Sequence, residues 1–178
     1  MKLVFIYGPD GSGKTTIARE LQFKFKESIV IPFEPSKFGG IVKEIDSGYG
    51  GQNSAVKKSI NFFKSLVLFL RYILRFVFFY LRFSKKFKYV FITRGPIEFG
   101  INDTHKKFPK FFGATLQYIL SKNNFLIIRP VDLILKQKPE LPRMRILELY
   151  EEYSLSGCKP ILNISKEECV NQISNIIS

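Results

Sequence analysis

At 178 residues, 46% of them apolar and 15% aromatic, the chain has material for one sizeable core, and a single domain over 1–178 is expected. Its 28 Lys and Arg against 15 Asp and Glu give a formal charge of +13, so the surface attracts anions; nucleotides, nucleic acid and acidic lipid head groups all qualify, and biased base composition would give the same excess. Cys158 and Cys169 lack the close Cys or His spacing of a zinc site and read as buried thiols in a reducing, cytoplasmic setting.

The first run, Lys2–Tyr7, is apolar and strand-like. It is too short for a signal peptide and leads into a glycine loop instead of a small-residue cleavage site, so export is not expected. Residues 14–26 follow with Ile17, Ala18, Leu21 and Phe25 on one side, the spacing of an amphipathic helix. A second strand is predicted at 28–33, and glycines at 39–40 and 48–51 mark loops of the kind that border binding sites.

Residues 60–83 superficially look like a membrane span, but Lys64, Arg71, Arg75 and Arg82 interrupt them. No unbroken apolar run there approaches the roughly 18 residues that a transmembrane helix needs. Spacings of 7, 4 and 7 positions return the four cations to one narrow face at about 100° per residue, so a long helix with a basic stripe is predicted. Three readings stay open: a solvated face over a core helix, a basic amphipathic helix on an anionic membrane, or a stripe with one arginine facing a phosphate cleft.

Further strands are predicted at Tyr89–Thr93, 131–136 and 160–164. Ser165, with Glu168 three residues on, has capping-box spacing and opens a closing helix at 167–177. Short, nearly continuous apolar strands alternating with helices predict an α/β architecture with a parallel sheet covered on both sides.

Gly8, Gly13, Lys14 and Thr15 satisfy G-x-x-x-x-G-K-[ST] between a strand and a helix. Glycines at 8, 11 and 13 let the backbone turn tightly and direct its N–H groups inward, a nest for phosphate at a positive helix end. Lys14 supplies a mobile charge for the β- and γ-phosphate oxygens, and the Thr15 hydroxyl suits Mg²⁺. The ATP site is therefore expected at Gly8, Pro9, Asp10, Gly11, Ser12, Gly13, Lys14, Thr15 and Thr16. Single-domain size and the arginine set favour a small-molecule kinase over the other users of this loop.

Further residues then line up. Glu34-Pro35 follows the second predicted strand, Thr93-Arg94-Gly95 ends the third, and Pro130-Val-Asp-Leu precedes Pro139-Glu140. In this order, and with Phe-Ile-Tyr-Gly-Pro-Asp-Gly-Ser-Gly-Lys-Thr-Thr at 5–16, the chain resembles the thymidylate kinase family of nucleoside monophosphate kinases over nearly its whole length. The resemblance implies a three-layer P-loop kinase fold with a five-stranded parallel sheet and a short lid around 137–146. It implies that Asp10 and Glu34 lie beside the acceptor and that Arg71, with Arg75 as the nearest alternative, binds the acceptor phosphate. Arg94 would act at the reacting phosphates, and Arg143 and Arg145 would be lid cations. Phe33 stands where the family has arginine, Thr93 where it has aspartate, and no thymine-contacting Tyr-Gln stretch follows Arg94. These features are most like divergent members of that family.

The resulting expectation is γ-phosphoryl transfer from Mg·ATP to a nucleoside monophosphate, by default dTMP to dTDP, with Lys14, Arg94 and Asp10 at the reacting centre. Glu98 and Asp103 are candidates for the missing carboxylate, and His105 reads as a loop residue. A P-loop protein that holds ATP without turnover, and an ATPase associated with membrane or nucleic acid, stay as alternatives. The family resemblance implies a homodimer through long helices, and no stable nucleic-acid or membrane partner is expected.

Overall fold

The structure, a computed structural model, describes residues 1–32, 61–101 and 107–178. Glu34, with its neighbour Phe33, the glycines at 39–40 and 48–51, and Asp103 and His105 lie outside the described residues.

Five strands form one parallel sheet: β1 (Lys2–Tyr7), β2 (Ser28–Pro32), β3 (Tyr89–Thr93), β4 (Asn124–Ile128) and β5 (Lys159–Leu162), in the order β2-β3-β1-β4-β5. The strand alternation of β1 divides the core. Leu3, Phe5 and Tyr7 face a cluster with Phe69, Tyr72, Phe76, Phe79 and Tyr153, while Val4 and Ile6 face Ile17, Leu21, Cys169 and Ile173. Helices α1 (Lys14–Lys24) and α7 (Lys166–Ile177) therefore cover one side. On the other lie α2 (Phe62–Phe83), the kinked segment α3 (Glu98–Ile101), α4 (Lys110–Leu120) and α6 (Arg143–Leu155). The three-layer α/β arrangement expected from the sequence is present.

One predicted strand is a helix. Residues 131–136 belong to α5 (Val131–Gln137), and the fourth strand is the preceding Asn124–Ile128, so Pro130-Val-Asp-Leu is not the strand that the family resemblance implied. Pro130, at the N-cap with φ −51°, suits a helix start, and Asp132 in the first turn and Lys136 in the last complement the helix dipole. In α5 only Ile134 is buried, whereas the first four residues of β4 are all buried between β1 and β5. The other boundaries move little. The closing helix has its cap, Ser165 Oγ accepting from the Glu168 amide at 3.2 Å, and Asn61 caps α2 in the same manner through the Lys64 amide at 3.1 Å.

Helix α2 has two apolar faces. Ser65, Phe69, Tyr72, Phe76 and Phe79 are buried, while Phe63, Val67, Leu70, Leu74, Val77 and Leu81 are exposed. At 100° per residue the two sets are centred about 160° apart, and the row Lys64, Arg71, Arg75 and Arg82 runs roughly midway along one flank. The basic row is thus not the side opposite the core. That side is apolar.

Candidate phosphate-binding site

Because the strands are parallel, their C-terminal ends share one edge, where open α/β sheets collect ligands. The first residue after each of four strands is used there: Gly8 after β1, Arg94 after β3, Arg129 after β4 and Asn163 after β5. The loop from Gly8 to Gly13 then delivers the chain into α1, whose N-terminus points at the same edge.

Two glycines are required by the loop's own packing. Gly8 has φ 142°, and a Cβ there would lie 2.7 Å from Ser12 Oγ and 2.9 Å from the Ile127 carbonyl oxygen. Gly13 has φ 94°, and its Cβ would lie 2.7 Å from Asn163 Nδ2, which donates to the Ser12 carbonyl at 2.8 Å. The loop is therefore clamped from β5, a contact with no local sequence signal. Ser12 Oγ is buried and has no hydrogen-bond partner among the described residues, a polar atom inside the cradle with its bond still to make.

Lys14 is only 7% exposed. Its Nζ donates to the Pro9 carbonyl at 3.0 Å and lies 3.4 Å from Asp10 Oδ1. Burial holds its pKa below the ordinary lysine value and Arg94 adds to that, while Asp10 and Glu98 act against it. The Arg94 guanidinium reaches Asp10 at 2.6 Å and Glu98 at 3.5 Å, so it bridges the loop to the start of α3. Glu98 is 2% exposed. Arg94 has a left-handed backbone, φ 73°, uncommon for a residue with a Cβ, and Gly95 beyond it lies against the Tyr7 ring and hydroxyl. That hydroxyl donates to Gln117, whose amide donates to Asn124 at 2.7 Å, so a buried polar chain crosses beneath the Arg94 turn.

Of the residues singled out in sequence, Gly8, Pro9, Asp10, Gly11, Ser12, Gly13, Lys14 and Thr15 form this loop and the start of α1, with Thr16 exposed one residue further. Arg94 and Glu98 join them through Asp10 and Lys14. Thr93 is the buried last residue of β3. Arg71 lies on the exposed flank of α2, and the charge of Arg75, one turn later, acts on the buried Tyr72 hydroxyl. Arg143 is exposed at the start of α6 with Asp132 at 2.7 Å. Arg145 donates to the Ile101 carbonyl at 2.7 Å and pairs with Glu148 and Glu152.

Arg129 was not anticipated. Its Nη1 donates to the Gly11 carbonyl at 3.0 Å and to Gln137 at 2.8 Å, and its own backbone is held at both N–H and C=O by the Tyr150 hydroxyl. The sequence does carry a signal for it, a cation directly after the apolar run 125–128, which a strand at 131–136 would hide.

No protein-family model and no curated protein sequence matches the chain. Solved structures do. Thymidylate kinase from Candida albicans superposes with a TM-score of 0.61 at 15% identity, over 99% of this chain and 90% of that one. The tunicamycin resistance protein of Deinococcus radiodurans superposes with a TM-score of 0.62 at 16% identity, over 99% and 95%. The fold is that of the P-loop kinases. At such identities the likeness concerns the architecture, a nucleotide-kinase-like fold with a phosphate loop at the expected edge.

Proposed function

We propose that the protein transfers the γ-phosphoryl group of ATP to a phosphate-bearing acceptor, a nucleoside monophosphate, with dTMP to dTDP as the first reaction to test. The observation that carries this reading is the Asp10–Arg94 contact at 2.6 Å, which joins the loop to a cation at the neighbouring strand end. A nucleotide-binding loop alone needs no such partner. Phosphoryl transfer does, because two polyanions must be held in line while cations neutralise the charge that develops between them.

The loop amides and Lys14 would hold the donor β- and γ-phosphates, and Ser12 Oγ would find its partner there. A divalent ion would be held by the Thr15 hydroxyl together with nucleotide phosphates. Mg²⁺ held there would supply charge neutralisation at the phosphates. Arg94 would bind the transferring group once Asp10 lets it turn, with Arg71 from α2 on the acceptor phosphate and Asp10 and Glu34 beside the acceptor sugar. Arg145 is tied inward, so Arg143, exposed with a surface partner, is the cation better suited to reach over the nucleotide from the 137–146 segment.

ATP with a panel of nucleoside monophosphates, read by coupled ADP release, tests the proposal. Acceptor-dependent ADP, lost in Arg94→Ala, is the expected result; ATP binding without ADP for any acceptor rejects it. The panel includes tunicamycin, because one structural relative is a tunicamycin resistance protein and the other is a thymidylate kinase of broad substrate specificity. Thr93, buried where the family has aspartate, favours a second reading in which the chain holds nucleotide without turning it over. Binding without ADP would support that reading.

A further inference from the structure

The outward face of α2 has no role in the phosphate site. Phe63, Val67, Leu70, Leu74, Val77 and Leu81 recur at spacings of 4, 3, 4, 3 and 4 and stay exposed, Leu74 at 68% and Leu81 at 73%. A contiguous apolar stripe along a helix of 22 residues, about 33 Å long, marks an interaction surface. Among the described residues no helix is long and apolar enough to cross a membrane.

Charge selects between a second copy and a lipid surface. Helix α2 contains no Asp or Glu, and Lys64 and Arg82, at the two ends of the basic row, are exposed on one flank of the stripe. Pairing two such helices antiparallel would set the basic rows against each other. Pairing them parallel would set the row against Leu66, Ile73 and Tyr80. In either arrangement α2 itself supplies no carboxylate. Beyond the helix, Lys85, Lys86 and Lys88 are exposed and extend the positive end begun by Arg82, on a chain of formal charge +13. An apolar helix face edged by cations is complementary to an anionic bilayer, whose acyl boundary accepts the stripe and whose head groups meet the flank.

We propose that the α2 outer face docks in the plane of an anionic phospholipid membrane, making this a peripheral membrane protein whose phosphate loop stays in water. The proposal does not depend on the phosphoryl-transfer reading. Its test is co-sedimentation of the full chain with vesicles of phosphatidylcholine alone or with about 30% phosphatidylglycerol. At least about tenfold stronger partitioning to the anionic vesicles is expected, weakened by Arg82→Glu with Lys86→Glu and by high salt.

The apolar contribution is read with Leu70→Ser plus Leu74→Ser, which keeps every charge and should reduce binding about tenfold or more. Leu74→Ser alone serves if the double variant does not fold. Equal binding by wild type and serine variants overturns the proposal, because charge alone would then account for it. So does wild type remaining in the supernatant. A dimer in sedimentation equilibrium that Leu74→Arg dissociates also overturns it, the occupant then being a second copy.

Discussion

The phosphate loop and helix α2 both carry features that folding alone disfavours, of opposite kinds. In the loop a charged amine is buried beside an arginine in a left-handed conformation, so the cost lies in desolvation and backbone strain. On α2 six apolar side chains remain in water, so the cost lies in solvation of hydrocarbon. The first arrangement suits a small, highly charged ligand that enters and restores lost interactions. The second suits an extended surface that removes water. The two sites therefore call for partners of different size and chemistry, and they can be perturbed separately.

Lys14→Met should have the largest effect and should split stability from binding. ATP affinity should fall about a hundredfold or more by calorimetry. Stability at neutral pH should rise by about 1 kcal/mol, a few degrees in Tm, because a buried charge is removed. The sign follows from the lowered pKa. Between the folded and the ordinary lysine values the unfolded chain binds more protons, so wild-type stability rises with pH there. The variant should lack that slope, and equal slopes in both proteins would show that Lys14 is not the buried cation described.

Gly13→Ala comes next. The left-handed φ and the contact with Asn163 predict a loss of about 1–3 kcal/mol in urea unfolding, together with weaker ATP binding. Tyr7→Phe leaves the Gln117 acceptor without its donor beneath the Arg94 turn and should cost about 1–2 kcal/mol. Leu70→Ser with Leu74→Ser should change stability by about 1 kcal/mol or less while raising solubility, since both side chains are more than half exposed. A large loss there would mean the outer face belongs to the folded core after all.

The two cysteines make the smallest and sharpest check. Burial pushes the Cys158 thiol up to about 12 and Cys169 up to about 11, so neither should react with a disulfide reagent at pH 8 until the chain unfolds.

The loop was legible in sequence because its chemistry is local. Glycines, lysine and threonine at fixed spacing mark the turn, its phosphate nest and the helix that follows within one short stretch, even though distant residues help to hold it. The fourth strand was not. Asn124 begins it, a polar residue that is buried with its amide oxygen accepting from Gln117, on another element, and its amide nitrogen donating to the Ser121 carbonyl. The run at 131–136 is as apolar as a strand, and short apolar runs do not separate helix from strand by periodicity. Asn163 and Arg129 became visible only once β4 and β5 brought them to the loop. For α2 the residues gave the helix and the basic row, but which apolar side meets the sheet is decided by packing against Phe5, Phe99 and Phe108.

The buried Lys14 amine also links ligand to acidity. In the empty loop its proton is held loosely, since burial and Arg94 outweigh the help of Asp10 and Glu98. A phosphate docking against it supplies the missing counter-charge and tightens that proton. On the alkaline side, above the amine's value in the empty loop, nucleotide capture therefore draws a proton from solution, and the heat of binding there should vary with the ionisation enthalpy of the buffer.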